Sequence, residues 1–175
     1  MISSVSFQNH KPRFRSNALV AAFLAFLSVI LIISCDSGRV YENYSEFPDR
    51  TWKTPEKVRF EFAIPDTTLT YSLYYDIRNT IDYPFARIFV MYQLVDSSNN
   101  ELTAKLLNND LFDQKTGRPF GDSGLGDIYD HRFTLVDHYR FNRPGTYAVT
   151  LSQFMRQDTL KGILAVGVRV EKNLP

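Results

Sequence analysis

The chain is poor in cysteine, histidine and glycine, and it has no surplus of charge. With 1 Cys in 175 residues no intrachain disulfide can form, so any folded part must be stable on packing alone. Of the 3 His, His10 lies in the N-terminal segment. His131 and His138 remain, seven residues apart, in no recognisable nucleophile or metal motif, and they read as surface histidines. Gly-x-Ser-x-Gly and His-Glu-x-x-His are both missing. Four of the 8 Gly fall between Gly117 and Gly126, yet no Gly-Lys-Ser/Thr is present and no strand-to-helix transition follows, which excludes a P-loop. Asp122, Asp127 and Asp130 beside these glycines could offer oxygens to Ca²⁺. Their spacing fits no EF-hand loop and lacks the closing bidentate Glu, so the stretch reads as a long loop across one end of a domain. No window keeps a helical period for more than about two turns, Phe154-Met155-Arg156 offering at most one. Repeats and low-complexity tracts are absent.

What is present begins with a leader. Residues 1–17 carry Lys11, Arg13 and Arg15 and no acidic side chain, and Ala18 to Ile33 are apolar except for Ser28. As a helix this run would reach only about 24 Å, short of the roughly 30 Å hydrocarbon core of a bilayer. Basic start, apolar middle and a small residue at the exit make a secretory signal. The single cysteine, Cys35, follows directly in Ile32-Ile33-Ser34-Cys35. That is the placement of a bacterial lipoprotein signal, cleaved between Ser34 and Cys35, with the cysteine thiol acylated. The expected layout is a signal peptide over 1–34, a lipidated N-terminus and irregular polar tether over 35–54, and one domain over 55–175. Taking the three leader cations from the chain's 20 Lys+Arg leaves 17 against 19 Asp+Glu, a net −2 that argues for no nucleic-acid partner.

In the domain the dominant period is two. Val58, Phe60, Phe62 and Ile64 alternate with Arg59, Glu61 and Ala63, and Tyr71, Leu73, Tyr75 and Ile77 repeat the pattern. Ile88 to Val95 is apolar at nearly every position and reads as a central strand covered on both faces. Leu102 to Leu106, Phe133 to Leu135, Tyr147 to Leu151 and Leu164 to Val170 supply further strands. Pro65-Asp66, Ser97-Ser98-Asn99-Asn100 and Arg143-Pro144-Gly145 separate them, the last suiting a type II turn. Seven or eight strands with hairpin spacing predict an all-β antiparallel sandwich, jelly-roll or Ig-like. The 14 Phe and 10 Tyr supply its core.

One connection stands out. Asp82-Tyr83-Pro84-Phe85 links two strands and carries two aromatics and a proline. It is a candidate docking loop, since exposed aromatics anchor interfaces, or else a corner whose rings plug the core edge.

The segments together resemble the GldH family of gliding-motility lipoproteins of Bacteroidetes. The resemblance lies in Ser34-Cys35-Asp36-Ser37-Gly38-Arg39-Val40-Tyr41, Phe60-Glu61-Phe62 with Ile64-Pro65-Asp66-Thr67, and Ile77-Arg78-Asn79-Thr80 with Asp82-Tyr83-Pro84-Phe85. It continues through Gly124-Leu125-Gly126-Asp127-Ile128, Pro144-Gly145-Thr146-Tyr147 with Gln153 and Met155-Arg156, and Gly162-Ile163-Leu164 with Val166-Gly167. It implies a non-enzymatic accessory lipoprotein of the gliding machinery, linked to type IX secretion. It further implies other gliding or secretion lipoproteins as partners, a lipid anchor at Cys35 in the outer membrane facing the periplasm, and no cofactor, metal or small-molecule substrate. The competing expectation is a lipid-anchored carbohydrate-binding module with Trp52, Tyr74 and Tyr83 as its aromatic platform.

Overall fold

Alternating residues place one face of each strand in a shared core, and the register shows which. The computed structural model describes residues 38–124 and 126–174. Their strands are β1 (Arg39–Glu46), β2 (Thr51–Lys53), β3 (Val58–Ile64), β4 (Thr70–Thr80), β5 (Arg87–Val95), β6 (Glu101–Asp110), β7 (Asp122–Ser123), β8 (Ile128–Tyr139), β9 (Gly145–Gln153), β10 (Thr159–Lys161) and β11 (Ile163–Asn173). No helix is present among the described residues. One sheet runs β1-β11-β4-β8-β7, a second β3-β9-β5-β6, and a two-stranded ribbon joins β10 to β2. Every pairing is antiparallel. This is the expected all-β sandwich of a single domain.

The core lies between the two larger sheets. Leu73, Tyr75 and Ile77 of β4 and Val166, Val168 and Val170 of β11 meet Phe60, Phe62, Val90, Tyr92, Leu94, Val149 and Leu151 from the facing sheet. The Tyr92 hydroxyl crosses to donate to Leu135 O (3.2 Å), and that of Tyr75 to Asn109 Oδ1 (2.6 Å). Buried tyrosines thus bring their polar tips to partners, as burial in an apolar interior requires.

Three sequence expectations change. Residues 39–54 are not an irregular tether. β1 pairs with β11 along its length, β2 pairs with β10, and Trp52 is fully buried, stacked on Phe47 at 5.7 Å. The Trp52 indole N–H donates to Glu56 O (2.9 Å). β1 looks polar because it is an edge strand whose outward residues engage in cross-strand ion pairs. β5 is indeed interior to its sheet, but only one face is fully covered. Ile88, Val90, Tyr92 and Leu94 are buried, whereas Phe89 and Met91 are half-buried and Gln93 is exposed. Gly145 takes φ 154° and opens β9, so Pro144-Gly145 is not a type II corner, whose third residue needs φ near +80°.

Candidate interaction site

The β4–β5 connection is built around Tyr83, and its ring points inward. Tyr83 is 5% exposed, lies 5.8 Å from Phe85 and 6.4 Å from Phe112, and donates its hydroxyl to Arg87 O (3.0 Å). Burial pushes its phenol well above the ordinary tyrosine range. The backbone of Tyr83 is approached closely by Gly162, at φ 82°, where a Cβ would come within 2.8 Å of Tyr83 Cα. Of the expected docking residues, then, Tyr83 plugs the core edge, Asp82 and Pro84 are exposed, and Phe85 is half-buried. Ser34 and Cys35 lie outside the described residues.

Phe85 leads to a second feature. Together with Phe89, Leu106, Phe154, Met155, Arg156 and Gln157 it lines an apolar groove of about 470 Å³ on the outer side of the four-stranded sheet. Phe154 is 59% exposed and Leu106 40%. Residues 154–155 do not form a helical turn. Phe154 N donates to Phe89 O (2.8 Å), and Phe89 N approaches Met155 Sδ (3.3 Å), which fastens the segment to β5. Gln153 holds it from below, accepting from Met155 N (2.8 Å) and donating to Thr54 Oγ1 (2.7 Å) and Gln157 O (2.9 Å). The backbone is fully tied while the Phe154 ring faces water, an arrangement suited to receiving an apolar partner side chain. Sequence reading missed it because Phe154 and Phe85 are distant in the chain. The exposed Leu102, Ala104 and Leu106 face of β6 was the available signal.

The outer face of the five-stranded sheet is the opposite in character. Arg132 on β8 makes two 2.8 Å bonds to Asp76 on β4 and one of 2.9 Å to Glu42 on β1. Glu42 also accepts from Arg39 (2.6 Å) and Arg169 (3.3 Å), and Arg169 pairs with Glu171. The Tyr44 hydroxyl donates to Asp76 (2.7 Å). Tyr44 sits opposite Gly167 in the register, and a Cβ there would lie 2.5 Å from its ring. The glycine lets the ring lie flat across the strand and reach the carboxylate. Burial alone would raise the Glu42 carboxyl, but the hydrogen bonds from Arg39 and Arg169 outweigh it and hold it below the usual range. The hydrogen bond to Asp76 raises the Arg132 guanidinium. Every carboxylate of this network is neutralised, so it braces four strands and leaves no free acid or base.

The glycine-rich stretch is partly strand, since β7 pairs with β8. Gly121 lies against β8, where a Cβ would be 2.6 Å from Asp130 O and 2.7 Å from His131 Nε2. His131 is buried rather than superficial, its Nε2 has no hydrogen-bond partner, and burial lowers its basicity. His138 is the exposed one, at φ 49° and 2.9 Å from Asp137. Asp130 is engaged by Arg78 (2.7 Å), and among the described residues no group of three or more His, Cys, Asp or Glu is placed to hold a metal ion. The expected sugar platform does not form. Trp52 and Tyr83 are buried in the core, and Tyr74 is half-buried on β4.

Comparison with known proteins adds to this geometry. The family model described as GldH lipoprotein matches residues 39–170. A gliding motility lipoprotein GldH homolog of Christiangramia forsetii is 28% identical over 163 residues, covering 87% of this chain and 96% of that protein. Gliding motility lipoprotein GldH of Flavobacterium johnsoniae is 26% identical over 159 residues, covering 85% and 94%. Among solved structures, the K1 adhesin domain of Lys-gingipain from Porphyromonas gingivalis superposes with a TM-score of 0.37 at 13% identity, covering 77% of this chain and 83% of that one. The VP2 subviral particle of infectious bursal disease virus gives 0.35 at 8%, covering 77% and 30%. At these scores neither likeness bears on function.

Proposed function

The chain belongs to the GldH lipoprotein family, and from that premise we propose that it is an accessory subunit of the gliding-motility machinery that works by anchoring and docking. Cys35 carries the lipid. Each acyl chain contributes about 0.8 kcal/mol per buried CH₂, so two or three chains make residence in the membrane effectively permanent. Confinement there raises the domain's effective concentration beside other anchored subunits. The membrane is the outer one, on its periplasmic side, and the machinery is the one coupled to type IX secretion. Catalysis is not part of the role.

The observation that carries docking is the groove at Phe85, Phe89, Leu106, Phe154 and Met155, an apolar recess beside an exposed ring on a pinned backbone. Its occupant is an apolar side-chain cluster of another envelope subunit. Two variants test the two halves. Cys35→Ala should abolish colony spreading while the domain stays folded, and spreading at native levels would remove anchoring from the mechanism. Phe154→Asp, made in the lipidated protein, should leave the protein in the membrane fraction and still stop spreading. Normal spreading with that variant would exclude the groove.

A further inference from the structure

We propose that the pole of the sandwich at which β1 begins is a membrane-facing surface whose partner is the phospholipid headgroup layer, an inference that rests on the acylation of Cys35. The tether is short. Only residues 36–38 separate Cys35 from Arg39, where β1 starts. Gly38 is already fixed, its carbonyl accepting from Lys172 N at 2.8 Å. Three residues reach at most roughly 10 Å, so the acylated residue lies within that distance of Gly38.

The register decides what shares that level. Arg39 is opposite Glu171, Asn173 opposite Thr70, and Tyr71 opposite Tyr139. In the facing sheet Ile64 is opposite Gly145 and Ala148 opposite Val95. The two sheets meet at this pole around a polar cleft of about 450 Å³ lined by Ser97, Ser98, Tyr139, Asn142 and Arg143 among others. Its chemistry suits the headgroup zone. Asp66 and Asp96 accept hydrogen bonds from the loop residues Thr68 and Ser98, and Asp137 accepts from Ser72 on β4 and from its neighbour His138. Arg140, Arg143 and Lys172 bring positive charge to this pole, Arg143 lying near enough to Asp96 to help hold its carboxyl low, and they offer donors to phosphate oxygens.

The other pole holds the loop 81–86, the glycine-rich stretch and Phe154. β4 joins the poles with 11 residues, about 35 Å at strand rise. Lying on one side would instead press charge against the bilayer. The five-stranded face would bring the Glu42–Asp76–Arg132 network, and the four-stranded face would bring the Arg59–Glu61 and Arg87–Asp110 pairs together with its apolar groove. Standing on the β1 pole leaves both faces in water and lifts the apolar groove clear of the lipid, toward protein partners.

The test uses the chain's single native cysteine to advantage, because an acylated Cys35 leaves any introduced thiol unique. Asn142→Cys marks the proposed membrane pole and Asp82→Cys the far one, both at exposed positions. Each acylated protein is labelled with a fluorophore and placed in phosphatidylethanolamine–phosphatidylglycerol vesicles carrying a short-range headgroup quencher. Quenching should be several-fold stronger at position 142 than at 82. Equal quenching, or stronger quenching at 82, overturns the orientation. The mass of the N-terminal peptide from the same preparation reports the lipid separately. An unacylated Cys35 overturns the anchoring reading and this inference with it, whereas an acylated Cys35 with reversed quenching overturns the orientation alone.

Discussion

Gly167→Ala should destabilise the domain through a single ring. The added methyl would meet Tyr44 Cδ1 at 2.5 Å and Asn43 O at 3.0 Å, so the ring must swing off the sheet. The Tyr44 hydroxyl then loses its 2.7 Å hydrogen bond to Asp76, whose residue is 6% exposed. A hydrogen bond to a charged group contributes about 1.5–3 kcal/mol. Asp76 retains both bonds from Arg132, and alanine is better than glycine in a strand interior by roughly 0.5–1 kcal/mol, so the net loss is about 1–2 kcal/mol. For a domain of this size that lowers Tm by about 3–4 °C per kcal/mol. Urea unfolding of residues 35–175 with Cys35→Ala measures it. The discriminating result comes from repeating the substitution with Tyr44→Ala. With no ring to displace, the cost of Gly167→Ala should largely vanish, leaving only the milder approach to Asn43 O. Equal costs in both backgrounds would refute the coupling of Gly167 to Tyr44.

Other perturbations test other parts. Trp52→Ala removes a fully buried indole, and should cost about 3–5 kcal/mol in the same unfolding assay; a cost below about 1 kcal/mol would return residues 39–54 to the status of a tether. His131 is held neutral by burial, its folded value lying below the ordinary 6.5. The unfolded chain therefore binds the proton first, and stability falls as pH drops through 6.5 toward the folded value. His131→Phe should flatten the stability profile in that window, and an unchanged slope would locate the titration elsewhere. Glu42, depressed by its arginines, contributes stability that is present above its ordinary value of 4.5 and lost in stronger acid, a loss that Glu42→Gln should reduce.

The fold was legible where alternation was clean. β3, β4 and β11 each set an apolar file against polar neighbours, and one buried face dictates such a period. β1 was not legible, because Glu42 and Glu46 face outward and Tyr44 is half-exposed, so the strand resembles a polar linker until β11 lies beside it. Tyr83 and Phe154 show the same difficulty at the site. The sequence presents both as loop aromatics, and only Gly162 packing on the Tyr83 backbone and Phe89 holding the Phe154 backbone decide which ring is buried and which is offered. The ion-pair network had no local signature, since its members come from four strands.

Docking of the anchored domain through the Phe154 groove can be read in living cells. It is tested most directly by a photocrosslinking side chain placed at position 154 in gliding cells, with position 61 on the exposed face of β3 as the control. A crosslink should form from 154 alone, to an envelope protein whose own loss stops gliding, and should disappear when Cys35 is alanine. Absence of that crosslink, equal yield from position 61, or persistence without the cysteine would contradict it.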